Sequence, residues 1–154
     1  MSPLAVSVER CCAPVICSCA STSEGTNFLP KPKALAGRVA LVTGGSRGLG
    51  LQMARGLGEM GATVAISARK AGELEEARDL LAREGIKVIA IQNDLSKPDE
   101  VPRLVDAVQA QLGGIDILVN NAGATWGAPA EDHPLDAWNK VMTLNTTAVF
   151  QLSQ

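Results

Sequence analysis

Apolar and polar residues follow two distinct patterns from residue 37 to the end of the chain. Short continuous apolar runs, such as RVALVT and KVIAIQ, are typical of strands buried on both faces of a sheet. Between them, apolar residues recur every three or four positions, which is typical of amphipathic helices. Leu49, Met53, Leu57 and Met60 are one such set. The two patterns predict strands at 38–43, 62–67, 87–92 and 115–120, and helices at 47–60, 71–85, 99–112 and from about Leu135 to the end.

Strand and helix alternate four times with short connections, an order typical of a parallel sheet with helices on both faces. Right-handed crossovers between parallel strands then favour the doubly wound arrangement. The sequence therefore predicts an α/β protein with a Rossmann-type doubly wound parallel sheet. We expect this sheet to be truncated, because the chain stops after the helix that follows the fourth strand.

Residues 1–36 show neither period and differ from the rest of the chain in composition. They contain all four cysteines, Cys11, Cys12, Cys17 and Cys19. The cysteine spacing does not match common zinc sites, so we expect no metal site. We interpret 1–36 as a disordered leader, with a targeting segment as the alternative, and 37–154 as the globular part. Because no cysteine follows Cys19, the globular part has no sign of a disulfide framework.

Composition and net charge indicate which classes of binding partner to expect. The 154 residues are 46% hydrophobic and 19% charged, with a formal net charge of −2, as in ordinary soluble globular proteins. No basic excess indicates nucleic acid, and no apolar run approaches the roughly 20 residues of a membrane span. We therefore expect a cytoplasmic protein with no nucleic-acid or membrane partner. Organelle targeting through 1–36 is the alternative.

A glycine-rich loop separates the first predicted strand from the first helix. Thr43 opens it, and Gly44, Gly48 and Gly50 follow at fixed spacing. At this point of a βαβ unit, the helix N-terminus presents free N–H groups and a partial positive charge, and a phosphate docks only where side chains do not block it. The spacing differs from both G-x-G-x-x-G and the Walker loop. A phosphate-binding loop is our interpretation, and a purely structural turn is the alternative.

Three further motifs stand at the ends of later strands or in the last helix. NDLS (93–96) follows the third strand, NNAG (120–123) follows the fourth, and Asn145 lies in the last helix. With the loop T-G-x-x-x-G-x-G at 43–50, this set resembles the short-chain dehydrogenase/reductase family over residues 37–154. The wording of NNAGATWGAPAEDHPLDAW most resembles gluconate 5-dehydrogenase-like and 3-oxoacyl-[acyl-carrier-protein] reductase-like members.

The resemblance implies a nicotinamide cofactor and a role for each matching position. The residues implied at the pyrophosphate and adjoining ribose are Gly44, Ser46, Gly48, Leu49 and Gly50. The residues implied at the adenine are Asp94 and Leu95, and those implied to form the floor of the cofactor site are Asn121, Ala122 and Gly123. Asp94 alone could also be a solvated or capping loop acid. Asn120 is expected to brace the sheet.

The end of the second strand bears on which cofactor is used. It reads Ser67-Ala68-Arg69-Lys70. The resemblance implies that Ala68 occupies the position at which NAD-preferring family members have Asp. An acid there would repel a 2′-phosphate, whereas a guanidinium binds one through charge-assisted hydrogen bonds. Arg69, with Arg47 from the glycine loop, therefore favours NADP. NAD remains possible if both arginines are merely solvated.

The chain contains no tyrosine. In the family that it resembles, a Tyr with a Lys four positions on and a Ser assist hydride transfer at a carbonyl, and a helix asparagine supports them. Asn145 is the one catalytic residue of that set that matches here. His133, the sole histidine, lies in a loop before Pro134 and is not expected to replace the acid.

These observations predict an incomplete and inactive piece of an NADP-dependent oxidoreductase. The resemblance implies a ketone or secondary alcohol as substrate, either a sugar acid or a 3-oxoacyl thioester, and a full-length parent that is a homo-tetramer or dimer. The alternative is a truncated, non-catalytic module that binds a nucleotide or a protein partner.

Overall fold

A computed structural model describes residues 33–154 of the chain. The strands are β1 (Val39–Thr43), β2 (Thr63–Ala68), β3 (Val88–Gln92) and β4 (Ile117–Val119). The helices are α1 (Gly48–Glu59), α2 (Ala71–Arg83), α3 (Glu100–Leu112), α4 (Leu135–Met142) and α5 (Ala148–Ser153). A 3₁₀ turn covers Ala130–Asp132, and a π-helical turn, Thr143–Thr147, joins α4 to α5. The zinc and targeting interpretations of the leader fall on residues outside this range, and the boundary near residue 36 stays a prediction.

All described strands are parallel, in the order β3-β2-β1-β4. Leu41 of β1 lies beside Ala65 of β2 on one side and Leu118 of β4 on the other. The predicted doubly wound parallel sheet is therefore confirmed. Because every strand runs the same way, their carboxyl ends meet at one edge of the sheet, where open α/β sheets bind ligands.

Helices cover both faces of the sheet, as the alternation predicts. On one face, buried strand residues pack against α1 and α2 in a cluster that includes Ala40, Val42, Val64, Ile66, Ala54, Leu74 and Leu81. On the other, they pack against α3 and the last helix in a cluster that includes Leu41, Ala65, Val101, Leu104, Val108, Leu144 and Ala148. Successive residues of β1 thus serve opposite layers, because side chains alternate across a strand.

The buried face of α1 differs from the one that its apolar spacing indicates. Leu49 is 77% exposed and Met53 36% exposed, whereas Gly50 and Ala54 are buried. A Cβ at Gly58 would lie 2.3 Å from Ile86. Small residues therefore face the core and let α1 approach its neighbours closely. Leu51 and Leu57 pack partly buried against the same cluster, whereas Leu49 and Met53 point outward.

The strand predicted at 115–120 is shorter than its apolar run. β4 covers only Ile117–Val119, because the chain leaves the ladder at both ends. Before it, the Asp116 carboxylate accepts a hydrogen bond from Val39 N (2.8 Å). After it, Asn121 N donates to the side-chain hydroxyl of Thr43 (3.0 Å) instead of to a backbone carbonyl of β1. No helix within residues 33–154 is both long and apolar enough to cross a bilayer.

Candidate functional site

A cleft of about 370 Å³ opens at the carboxyl edge of the sheet. Its walls come from the glycine loop after β1, the ends of β2 and β3, and the loop after β4. The predicted site residues that line it are Gly44, Ser46, Arg47, Gly48, Leu49, Gly50, Arg69, Leu95, Asn121, Ala122 and Gly123. Asp94 and Asn145 are not among the lining residues. Motifs that are far apart in sequence thus meet at one cavity of the size that ligand sites have.

The glycine loop brings the N-terminus of α1 to this cleft. Gly44 and Gly48 have φ of +65° and +58°, in the left-handed region that favours glycine. Arg47, the residue before the helix, is extended and makes no side-chain capping hydrogen bond. The first N–H groups of α1 therefore have no side-chain cap and remain available to an anion in the cleft.

Gly50 is required by packing inside the protein. A Cβ at this position would lie 2.3 Å from Gly44 O and 2.4 Å from Asn121 Nδ2. These distances are far below any real carbon contact, so only glycine fits unless the loop moves. From the sequence, the glycines are interpreted as leaving the backbone free for a phosphate. At Gly50 there is a second reason for glycine, because a side chain would collide with the protein itself. Gly50 lets the loop after β1 close on the loop after β4.

Thr43, which the sequence analysis placed only at the start of the motif, joins the two loops. Its hydroxyl donates to Val119 O (3.2 Å) and accepts from the N–H groups of Asn121 and Ala122, both at 3.0 Å. In return, Asn121 Nδ2 donates to Thr43 O (3.0 Å) and Gly44 O (3.2 Å). The only sequence signal for this role was a threonine at the end of a buried strand.

Asn145 fixes the next part of the same loop. Its Oδ1 accepts from Ala124 N and its Nδ2 donates to Ala124 O, both at 2.8 Å. It sits within the π-helical turn Thr143–Thr147, a local irregularity that is frequent at functional sites. Asn120 Nδ2 donates to Ser153 Oγ (3.3 Å), which links β4 to α5 and agrees with a bracing role. In this structure Asn145 is a positioning residue for the backbone beside the cleft.

At the end of β3, the residue that lines the cleft is Asn93 rather than Asp94. The Asp94 carboxylate accepts from Ser96 Oγ (2.7 Å) and Ser96 N (3.1 Å). These bonds, with the charges of Arg69 and Lys97, hold its pKa below the ordinary value although desolvation raises it. Asn93 is buried, its Nδ2 donates to Glu100 O (2.7 Å), and its Oδ1 is buried without a partner. The motif drew attention to the acid and missed this amide.

Charged side chains crowd the end of the cleft beside β2. Arg47, Arg69 and Lys70 line it together with one acid, Glu73 of the first turn of α2. Lys70 Nζ lies 2.6 Å from Glu73 Oε1, and Arg47 Nε lies 3.9 Å from Glu73 Oε2. The hydrogen bond from Lys70 first, then the charges of Lys70 and Arg47, hold the pKa of Glu73 below its ordinary value. The sequence analysis weighed the arginines and did not weigh Glu73.

His133 lies apart from the cleft. Its ring meets that of Trp138 edge-on, with centroids 6.2 Å apart and planes at 84°, and its Nδ1 is 3.2 Å from Pro134 O. Trp138 and Trp126 are more than half exposed. Within residues 33–154, no group of three or more His, Cys, Asp and Glu side chains is arranged to hold a metal ion.

Comparison with known proteins assigns this arrangement to a family. The family model described as short chain dehydrogenase matches residues 38–154, which is most of the chain and includes all four described strands. The chain belongs to the short-chain dehydrogenase family. The family that the four motifs indicate is therefore confirmed.

Two curated relatives carry the names of the two subgroups that the sequence NNAGATWGAPAEDHPLDAW indicates. The chain is 48% identical over 120 residues to the rhamnolipids biosynthesis 3-oxoacyl-[acyl-carrier-protein] reductase of Pseudomonas aeruginosa, covering 78% of this chain and 46% of the relative. It is 41% identical over 120 residues to gluconate 5-dehydrogenase of Gluconobacter oxydans, covering 78% and 47%. The chain thus spans about half the length of these short-chain dehydrogenase relatives.

A solved structure gives the same fold assignment. The complex of Pseudomonas aeruginosa RhlG with NADP matches with a TM-score of 0.74 and 46% identity, over 81% of this chain and 48% of that one. A short-chain dehydrogenase of Burkholderia cenocepacia in complex with NADP also has a TM-score of 0.74, with 41% identity over 78% and 49% of the two chains.

Proposed function

We propose that this chain is the cofactor-binding part of an NADP-dependent oxidoreductase that interconverts a ketone and a secondary alcohol. The observation that carries the proposal is the cationic end of the cleft. Arg47, Arg69 and Lys70 gather there, and Ala68 stands where an acid would repel a 2′-phosphate. The NADP complexes of the two structural neighbours support the same cofactor.

The residues present fit this cofactor. The uncapped N-terminus of α1, at Gly48, suits the pyrophosphate because its N–H groups and dipole favour an anion. Asp94, which follows β3 beside the apolar Leu95, is the acceptor that we propose for the adenine amino group. Asn121, Ala122 and Gly123 line the opposite end, where we place the nicotinamide. When bound, the nicotinamide supplies or accepts the hydride.

The names of the relatives support the substrate classes that the sequence resemblance implies, and the assembly rests on that resemblance alone. The two curated relatives are named for a 3-oxoacyl-[acyl-carrier-protein] and for gluconate. We propose a substrate of one of these classes, a 3-oxoacyl thioester or a sugar acid, and a homo-tetrameric or dimeric full-length protein.

The 154 residues contain no tyrosine, so no phenol is available to pass a proton to the carbonyl oxygen. We therefore propose that this chain binds the cofactor and does not by itself turn it over. The same absence favours the second candidate, a non-catalytic nucleotide-binding module. Both candidates need the cleft to bind a nucleotide, and they differ in whether a catalytic part acts with it.

Calorimetric titration of the 154-residue chain with NADP⁺ and with NAD⁺ tests the cofactor. We expect tighter binding of NADP⁺, and we expect Arg69→Asp to reduce or reverse the preference by removing an attraction and adding a repulsion. The matched control is Lys140→Asp, the same charge change at an exposed position outside the cleft. An unchanged preference in Arg69→Asp would return Arg69 to a solvated surface role.

Turnover is measured separately, as NADPH oxidation with a 3-oxoacyl thioester and with 5-keto-gluconate. We expect none from this chain alone. Sustained turnover would overturn the proposal that its residues are insufficient for the chemistry. Activity that returns when a chain carrying the family's Tyr and Lys is added would favour the oxidoreductase over the non-catalytic module.

A further inference from the structure

Glu73 is the one carboxylate among the residues that line the described cleft, and it faces the cations that the proposed function assigns to the 2′-phosphate. It belongs to the first turn of α2, directly after the end of β2. Its two oxygens divide between two partners. Oε1 lies 2.6 Å from Lys70 Nζ, and Oε2 lies 3.9 Å from Arg47 Nε.

These ion pairs are weak enough to exchange. The side chains of Arg47 and Lys70 are 78% and 68% exposed, and that of Glu73 is 34% exposed. Exposed ion pairs are screened by water and contribute little stability. Arg47 and Lys70 can therefore leave Glu73 for a stronger anion with no large structural cost. Arg69, the third cation of this end, has no ion pair within residues 33–154.

A 2′-phosphate in this position would compete with Glu73 for the same two cations. It carries more negative charge than a carboxylate and offers more acceptor oxygens. Glu73 remains close by in either case, since α2 holds its backbone, and its charge repels the phosphate. A cofactor that ends in a 2′-hydroxyl meets no such repulsion and can donate a hydrogen bond to the carboxylate.

We propose that Glu73 is a specificity-determining residue that competes with the 2′-phosphate for Arg47 and Lys70 and so limits the preference for NADP over NAD. The inference rests on the proposed function, because it requires this end of the cleft to bind the adenosine ribose. In this proposal the cation cluster attracts the 2′-phosphate while the nearby Glu73 carboxylate repels it.

The test uses two ligands that differ only in the 2′-phosphate, adenosine 2′,5′-bisphosphate and adenosine 5′-monophosphate. The 154-residue chain is titrated with each by calorimetry, and the ratio of the two dissociation constants is compared with that of Glu73→Gln. Removing one negative charge several ångströms from a dianion at low salt is expected to raise the preference for the bisphosphate by about five- to tenfold. Affinity for the monophosphate should change by less than about twofold.

Glu76→Gln is the matched control, the same substitution on the same helix at an exposed position outside the cleft. Its ratio should equal that of the unmodified chain. Glu73→Ala provides a second variant, and circular dichroism verifies that each variant is folded. Both Glu73 variants should change the ratio in the same direction.

Three results would overturn the inference, and they bear differently on the proposed function. An unchanged ratio in folded Glu73 variants of a chain that prefers the bisphosphate would refute competition and leave the cofactor proposal intact. A lowered ratio would show that Glu73 positions the cations rather than competing for them. Equal affinity for the two ligands in the unmodified chain and both variants would overturn the inference and the NADP proposal together.

Discussion

At the scale of single residues, the Thr43 hydroxyl connects the two loops that form the cleft. Thr43 is buried, with 1% exposure, and its hydroxyl takes part in three hydrogen bonds, one to Val119 at the end of β4 and two to the loop after it. Such a group matters because its removal leaves the backbone N–H of Ala122 without a partner and leaves Asn121 N–H only its bond to Val119 O (3.0 Å). An unpaired polar group inside a protein costs more than the net gain of the bond that satisfied it.

We predict that Thr43→Val, which keeps the side-chain volume and removes the hydroxyl, lowers the free energy of unfolding by about 1–3 kcal/mol. Urea denaturation measures this change, and nucleotide titration should show weaker binding as the loop after β4 loosens. Thr63→Val, at a partly buried position of the neighbouring strand, is the control and should cost little. Equal stability of the two variants would mean that the loops are held by other contacts.

Asp116 is a second residue whose effect can be measured, here through pH. Its carboxylate accepts from Val39 N (2.8 Å) and from Arg38 (2.7 Å), and these bonds, the backbone one first, lower its pKa from the ordinary value of 3.8. A carboxylate with a depressed pKa in the folded state contributes stability above its unfolded pKa. That contribution is lost as pH falls through the folded value.

We therefore expect Asp116→Asn to be less stable than the unmodified chain at pH 6, and the difference to shrink as pH falls from the ordinary pKa of 3.8 through the lower pKa of the folded carboxylate. Urea denaturation at pH 6 and pH 3 measures the difference. Asp106→Asn, exposed on α3, provides the comparison for a carboxylate without these bonds. A stability difference that persists unchanged into acid would contradict the assigned role of the charge.

At the scale of elements, α1 shows how close packing and ligand access depend on small residues. Its buried positions are Gly50 and Ala54, so the helix sits close to the sheet, and its first turn opens on the cleft. Helix formers would stabilise such a segment in isolation, since glycine costs about 0.5–1 kcal/mol relative to alanine inside a helix. At Gly50 and Gly58 this cost is accepted because neighbouring atoms leave no room for a Cβ.

Two alanine substitutions separate these effects on the same helix. We predict that Gly50→Ala destabilises the chain by about 1–3 kcal/mol and weakens nucleotide binding, because the new methyl would clash with Gly44 O and Asn121 Nδ2. Gly56→Ala has no heavy atom within 4 Å of the added Cβ and should stabilise by about 0.5–1 kcal/mol. Thermal unfolding measures both, and a stabilising Gly50→Ala would contradict the packing.

At the scale of the whole molecule, apolar surface on α4 favours association. Leu135, Trp138 and Met142 follow one another along one side of α4 and are 71%, 54% and 38% exposed. The free edge of β4 adds backbone groups that are not paired within residues 33–154. Exposed apolar patches and open strand edges both promote contacts between chains.

We predict that the chain self-associates as its concentration rises, and that Trp138→Lys reduces this by placing a charge within the apolar side of α4. Sedimentation velocity over a concentration series measures the effect. The control is Asn139→Lys, which adds the same charge at a neighbouring exposed position. A monomer at all concentrations in the unmodified chain would contradict the prediction.

Comparison of particular elements shows how much the sequence predicts. The parallel sheet and its flanking helices follow from apolar runs and helical spacing, because both patterns are local and the central strands β1 and β2 are buried on both faces. The predicted strand bounds are least accurate at β4, because Asp116 and Asn121 form hydrogen bonds with β1 and with the loop after it. The predicted inward face of α1 is wrong at Leu49 and Met53, because apolar spacing does not reveal that Gly50 and Ala54 allow a closer approach to the sheet.

By itself the sequence determined the strand–helix order, the family and most of the positions around the cleft, since these depend on residue type and spacing along the chain. Only the tertiary structure decided which atoms meet there. It brought Thr43 to Asn121 across 78 positions and Glu73 to Arg47. It also placed Asn93, next to the Asp94 that the motif indicates, in the wall of the cleft. Those outcomes depend on the register of parallel strands and the direction of each side chain, which are set when distant segments pack together.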